Sequence, residues 1–258
     1  MRSLGVVAML AVLLLIPSAG AAQWPDDAAA LRTPGPVIRP GGQLRVELVA
    51  FDQLYGPFTA QVTYRYQGRI YIEDEDGGQR EGARLRTVKR PPTPLIDQLG
   101  AGQVLVVDDT FFLGDDSSAG RYDVEVAVEG VGGYRLKTLR TCVEYQAVAS
   151  VSGALQTGGA TTDGCGFLIT GVQRSEGEGW LDLHGRFPEN GNYRALILDR
   201  QTVLGRIDSG ISAVTATLLY LQSPLLTTLK GRTVDVVVHD LQTNSSATLS
   251  GLTLSTVR

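Results

Sequence analysis

Apolar residues in this chain recur at every second position, and that property restricts the fold more than any other. In Gln43–Phe51, Leu44, Val46 and Leu48 alternate with Arg45 and Glu47. In Phe58–Gln67, the residues Phe58, Ala60, Val62, Tyr64 and Tyr66 share one phase. In Arg121–Glu129, Tyr122, Val124, Val126 and Val128 oppose Asp123, Glu125 and Glu129. Successive side chains of a strand point to opposite faces, so this pattern describes sheets with one face on a core and the other toward water. The spacing predicts further strands over Ala83–Lys89, Gln103–Val107 and Gly133–Tyr145. A second series covers Phe167–Val172, Trp180–His184, Tyr193–Asp199, Ala213–Leu221, Thr233–His239 and Ala247–Leu254. A hairpin turning at Gln67-Gly68 sets Tyr71 across from Tyr64 and Arg69 across from Tyr66. With 31 glycines to make turns and no comparable 3.6-residue period, the expected class is all-β, as two immunoglobulin-like sandwiches in tandem.

The ends and the middle of the chain have different compositions. Met1–Ala22 begins with Arg2, runs apolar from Leu4 to Ile16, and closes on Pro17 and small residues. That is the layout of a secretion signal, with cleavage expected after Ala21 or Ala22. The run is shorter than the about 20 apolar residues that cross a bilayer. No later apolar segment reaches spanning length, so the mature chain is expected without a membrane span, in the periplasm or outside the cell. Residues 23–36, rich in Ala, Asp and Pro, look like a flexible leader. A first sandwich is expected over 37–146, a linker rich in Ala, Gly, Ser and Thr over 147–165, and a second sandwich over 166–258. The two cysteines, Cys142 and Cys165, flank the linker, and an oxidising compartment makes a disulfide between them the expectation over two separate buried thiols. Removing Met1–Ala22 takes away only one charged residue, Arg2, so a net charge of −4 becomes −5. Nucleic acid is not an expected partner, because affinity for phosphates requires a basic surface.

Two local resemblances refine the picture. Ser118-Ala119-Gly120-Arg121-Tyr122-Asp123-Val124 resembles the tyrosine corner of immunoglobulin-like domains, with Val124 where antibody domains carry a cysteine. In the second half, Ile169-Thr170-Gly171-Val172, Leu181-Asp182-Leu183-His184-Gly185-Arg186-Phe187 and Gly231-Arg232-Thr233-Val234-Asp235-Val236-Val237-Val238 resemble bacterial IPT/TIG-like modules. That family commonly places two residues between the glycine and the phenylalanine, and here only Arg186 stands there. The resemblance implies an immunoglobulin-like sandwich that serves as a spacer or recognition unit in surface proteins, or as an accessory domain beside enzymes.

Residues able to carry chemistry are few. No G-x-S-x-G nucleophile elbow occurs. The only histidines are His184 and His239, which would end strands in opposite sheets and face outward. So placed they share neither a metal nor a substrate, and each is expected to be solvated. The acidic run Glu73-Asp74-Glu75-Asp76 offers Asp74 and Asp76 as calcium ligands, although it breaks the EF-hand spacing and also reads as a solvated turn. Arg84, Arg86, Lys89 and Arg90 form a basic cluster that either meets an anionic partner or guards a sheet edge. Tyr64 and Tyr66 have the phase of core residues, whereas Trp180 shares the outward phase of Asp182 and His184. Trp180 is therefore the candidate exposed ring, or else a tryptophan covering the domain junction.

No catalytic residue and no cofactor is expected. The first reading is an exported, non-catalytic protein of recognition, adhesion or spacing, whose partner is a protein or glycan of the envelope or extracellular space. The alternatives are a carbohydrate-binding accessory protein, which needs exposed coplanar aromatics, and a hydrolase using two carboxylates about 5–5.5 Å apart. Peptide mapping of the exported protein without reductant is expected to return an N-terminus at Ala22 or Gln23 and a cross-linked Cys142–Cys165 peptide; two free thiols in protein from its native compartment would refute the bond.

Overall fold

The computed structural model describes residues 23–35, 37–38, 43–67, 71–73, 79–81, 87–112, 120–145, 166–173 and 179–254. The first half contains β1 (Ala29–Arg32), β2 (Val37–Ile38), β3 (Gln43–Ala50), β4 (Leu54–Tyr66), β5 (Tyr71–Glu73), β6 (Gln79–Glu81), β7 (Thr87–Lys89), β8 (Ile96–Leu99), β9 (Val104–Phe112), β10 (Gly120–Gly130) and β11 (Arg135–Tyr145). The second contains β12 (Leu168–Gln173), β13 (Trp180–Arg186), β14 (Tyr193–Asp199), β15 (Thr202–Ile207), β16 (Ile211–Thr215), β17 (Leu218–Gln222), α1 (Pro224–Thr228), β18 (Thr233–Asp240) and β19 (Ser245–Thr253). The molecule is all-β, and α1 is a single turn started by Ser223, whose hydroxyl accepts from the Leu225 N–H.

The strands form a four-layered stack, which the composition of the cores makes plain. A three-stranded sheet, β1-β3-β9, packs one face against the β4, β10 and β11 side of a ten-stranded sheet. Leu31, Leu48, Val62, Tyr64, Val126 and Leu139 meet in that first core. The same ten-stranded sheet continues through β11 into β19, β18, β14 and β15, joined by the parallel pair Arg140↔Ser245. One face of its second part packs on the four-stranded sheet β12-β13-β17-β16, where Leu181, Leu183, Ile197, Leu219, Val236 and Val238 form a second core. Its other face returns to cover the free side of β1-β3-β9, and Ala30, Val49, Phe51, Leu196, Leu198 and Val237 make a third core there. The central sheet is thus buried on both sides, and the two halves share a sheet and a core.

Residues 23–36, expected as a flexible leader, contradict that expectation where they are described. Ala29, Ala30 and Leu31 are completely buried, and Trp24 packs edge-on to Phe58 at 4.8 Å between ring centroids. Alanine reads as a loop residue by composition, yet a strand squeezed between two layers needs small side chains on both faces. The outer edge of β1 is closed by hydroxyls: Leu31 N–H donates to Ser246 Oγ at 3.1 Å and Thr33 N–H to Thr248 Oγ1 at 3.3 Å. An otherwise unpaired strand edge is satisfied in this way without a further ladder.

Two other expectations are corrected. Tyr64 lies opposite Val124 on one side and Val88 on the other, so no place remains for Tyr71 beside it. β5 pairs instead with β6, as Tyr71↔Glu81. The segment Ala213–Leu221, read as one strand, is a hairpin of β16 and β17 turning at 216–217. Gly185 belongs to the segment resembling IPT/TIG modules, and its lack of a side chain has a local reason. A Cβ there would stand 1.9 Å from the Leu168 carbonyl oxygen, so β12 approaches β13 too closely at its bulge for any larger residue.

Glu47 carries the solvent phase of β3 but is buried, because the second half covers that face. Arg32 Nη1 donates to Glu47 Oε2 at 2.7 Å, Arg45 Nε pairs with Glu47 Oε1 at 2.7 Å, and Arg32 Nη2 bonds Asp235 of β18. Removing one partner of a buried ion pair leaves an uncompensated charge, which costs about 3–5 kcal/mol. Arg32→Met is accordingly expected to lower the unfolding free energy by about that amount in urea titrations; an unchanged midpoint would show that the cluster does not hold the layers together.

Candidate functional site

The inner and outer faces of the second half give its two histidines different fates. His239 of β18 has the outward phase expected of it, pointing away from the second core, but it is fully buried rather than solvated. The central sheet covers it, with the Phe51 ring 6.0 Å away between centroids. Its Nδ1 lies 2.9 Å from Ser246 Oγ, the hydroxyl that accepts the Leu31 N–H, and its Nε2 has no hydrogen-bond partner. Thr141 of β11 donates to the Ser246 carbonyl at 2.9 Å, so Ser246 ties three strands together around the imidazole. Burial pushes the His239 pKa from 6.5 down to about 4, against the opposing pull of the Asp26 and Ser245 backbones. Nearby, the hydrogen bond and charge of Lys137 hold the Asp26 carboxyl below its usual range, with Nζ–Oδ1 at 2.6 Å. His239 is a structural residue of the junction.

The outer face of the four-stranded sheet is the opposite case. Strand β13 turns Leu181 and Leu183 into the second core and Trp180, Asp182 and His184 away from it. β17 does the same with Leu219 and Leu221 against Leu218 and Tyr220. In the register of these strands Asp182 is directly opposite Tyr220, Trp180 is opposite Gln222, and His184 is opposite Leu218. Trp180 and Tyr220 therefore occupy diagonal positions, about 7–8 Å apart for such pairs. They are 44% and 38% exposed, and the sheet beneath them is the outermost layer, so Trp180 is an exposed ring and does not cover the junction. Gln173 flanks Asp182 from β12, and Ser212 flanks Tyr220 from β16.

His184 is half-buried rather than solvated, and its Nε2, like Asp182 Oδ1, is shielded from water with no hydrogen-bond partner. Both atoms are enclosed beneath the face that carries the two exposed rings. Tyr220 was missed because the reading of β16 and β17 as one strand concealed the turn, although the alternation Leu218-Leu219-Tyr220-Leu221 carries its outward phase.

The remaining candidates are dispersed. Asp74, Asp76, Arg84, Arg86 and Cys165 lie outside the described residues. Lys89 is exposed on β7, a terminal strand of the large sheet, and Arg90 pairs with Asp108 at 3.4 Å. Asp108 also accepts from the buried Tyr64 hydroxyl at 2.7 Å, which joins burial in raising the Tyr64 pKa. Cys142 is buried and its thiol is not free. Among the described residues no group of three or more His, Cys, Asp or Glu is arranged to hold a metal. An open cavity of about 910 Å³ is lined by Arg32, Arg45, Glu47, Asp199 and Arg200, but both carboxylate oxygens of Glu47 are held by guanidinium groups and are not available to a reacting water.

No protein-family model matches the chain, and no curated relative matches it in sequence. Among solved structures, an alkylpurine DNA glycosylase of Pseudomonas fluorescens bound to DNA containing an abasic site analogue is similar at 18% identity and a TM-score of 0.23, over 46% of this chain and 31% of that one. An exo-chitosanase of Amycolatopsis orientalis is similar at 12% identity and a TM-score of 0.25, over 87% of this chain and 26% of that one. The chain spans about a quarter to a third of these neighbours, and scores this low carry no argument.

A histidine that is neutral when folded, with a pKa of about 4 against 6.5, takes up a proton on unfolding between those values. Its contribution to stability is complete above pH 6.5 and is lost as pH falls toward 4, a total of about 3 kcal/mol. Urea midpoints measured from pH 8 to 4 should fall accordingly in the natural protein and less steeply in His239→Gln; identical slopes would show that His239 is not the titrating group.

Proposed function

We propose that this chain is an exported, non-catalytic binding protein of the cell envelope or extracellular space, which meets its partner through the outer face of the β12-β13-β17-β16 sheet. The observation that carries this is the exposed pair Trp180 and Tyr220, at diagonal positions on the outermost layer of a stack whose other layers are cemented together. Large exposed rings are uncommon features of a protein surface, and a partner that covers them removes their apolar area from water. The third core, the Arg32–Glu47–Asp235 cluster and the shared sheet support a stiff body that presents this face at a fixed angle. The resemblance to IPT/TIG-like modules supports a role in recognition or spacing. A Cys142–Cys165 bond would close the intervening segment beside the β11–β19 junction and add to that stiffness.

The test is co-sedimentation of the purified mature protein with the insoluble envelope fraction of its source cells. The natural protein is expected in the pellet and the folded double variant Trp180→Ala/Tyr220→Ala at least tenfold depleted from it. Equal sedimentation of the two would place the binding surface elsewhere, and no sedimentation of either would refute the envelope role.

A further inference from the structure

A second cavity lies at the seam between the two halves, and it is independent of the surface that carries Trp180 and Tyr220. Among the described residues the ten-stranded sheet crosses this seam with a single ladder pair, Arg140↔Ser245. The outer β12-β13-β17-β16 layer packs on the part of that sheet formed by β14, β18 and β19. Where the layer stops a step is left, and the step encloses about 330 Å³. One wall is the edge of the second half, with Phe167, Pro188, Thr243 and Ser245. Pro188 follows the end of β13 remote from Trp180. The facing wall is the outer phase of β4, β10 and β11, with Arg65, Asp123, Glu125, Arg140 and Cys142.

The apolar part of this lining is fixed in place. Phe167 is held in the second core against Phe187 and Tyr193, with ring centroids 6.0 and 5.8 Å away, and the Pro188 carbonyl accepts the Tyr193 hydroxyl. Cys142, whose thiol is not free, packs on Leu168 and carries the apolar surface across to β11. The cavity is therefore formed before any ligand arrives, and it stands near the lower end of the about 300–1,000 Å³ that small-ligand sites enclose. That is room for one ring or a short alkyl chain with a single polar group. An apolar body of this size is favoured there, because it leaves water for contact with Phe167, Pro188 and Cys142.

The facing wall decides the polar group. In a chain of net charge −4 the cavity is lined by three arginines against two acids. Arg121 is matched by Asp123, with Nη2–Oδ1 at 2.7 Å. Arg65 and Arg140 share one carboxylate: Arg65 Nη2 lies 3.6 Å from Glu125 Oε1, and Arg140 Nε lies 3.5 Å from Glu125 Oε2. Both separations exceed the about 2.7–2.9 Å of a charge-assisted hydrogen bond. Among the described residues neither guanidinium has another partner, and both are about half exposed, so their N–H groups are open to a ligand. One positive charge is left over, on two planar forks whose donors match a carboxylate. A dianionic phosphate brings one charge too many beside Glu125, and a neutral ligand leaves the surplus unmatched. We propose that this cavity binds a small carboxylate with an apolar body, its acid group held by Arg65 and Arg140 and its ring or chain lying against Phe167 and Pro188.

Isothermal titration calorimetry on the mature protein tests this with 3-phenylpropanoate, octanoate and acetyl-alanyl-phenylalanine bearing a free terminal carboxylate. At least one of the three is expected to bind, and its uncharged amide at least tenfold more weakly. Acetate, which has the acid group without the apolar body, should also bind at least tenfold more weakly. Arg65→Gln and Arg140→Gln should each weaken the preferred ligand at least fivefold with an unchanged urea midpoint. Binding of a free acid but not the peptide assigns the site to a free carboxylate, and binding of the peptide alone assigns it to a chain terminus; either supports the proposal. No binding of any of the three, an amide that binds as tightly as its acid, or affinity that survives the folded double variant Arg65→Gln/Arg140→Gln would overturn it.

Discussion

A sheet buried on both faces is the constraint from which the rest of this molecule follows. The β1-β3-β9 sheet has the first half of the large sheet on one side and the second half on the other. Most of β1 and β3 is therefore closed to water, which accounts for the alanines of β1, the paired Glu47 and the hydroxyl-capped edge at Ser246 and Thr248. Burying Phe51, Leu196, Leu198 and Val237 is worth about 1.5–3 kcal/mol for each large side chain. That is enough to hold the halves together without help from the segment that connects them.

The same constraint separates structural residues from those free to meet a partner. Several polar groups that face the central sheet are bonded within the protein: Asp235 and Glu47 hold guanidiniums, and Ser246 joins β1 to β18 and β11, while His239 is kept neutral and its Nε2 stays without a partner. Among the described residues the four-stranded sheet has one neighbour, and its outer face carries the exposed rings Trp180 and Tyr220. A histidine with the outward phase on β18 is therefore cement, whereas one with the same phase on β13 belongs to a surface.

How much of this was legible in the sequence depended on the range of the interaction. Alternation in Gln43–Ala50, Leu54–Tyr66 and Gly120–Gly130 announced the strands and their core faces, because that pattern is local. His184 and His239 lie on strands of different sheets, as the expected sandwich topology, rather than alternation, placed them. What alternation does not encode is a third layer. The polar phase of a strand reads as solvent-facing whether water or another sheet lies beyond it, so Glu47 and His239 were assigned to the surface. The alanine-rich β1 has no alternation at all and passed for a leader. Tyr220 was hidden by a two-residue turn, which is too short to interrupt a β-branched and leucine-rich pattern.

The capped edge of β1 has a consequence for the order of assembly. Leu31 donates to a hydroxyl 215 residues further along the chain, and Arg32 is held by a carboxylate 203 residues away. The strand nearest the beginning of the described chain therefore cannot be enclosed until the last two strands exist. Contacts of this separation require closure of nearly the whole chain before they return any stability, and they make folding slow. Until then the alanines of β1 and the free face of β3 present an unpaired, apolar edge of the kind that associates with other chains. The first of the described strands to be synthesised is thus among the last that can be buried, so the chain spends a long vulnerable interval with its future centre exposed.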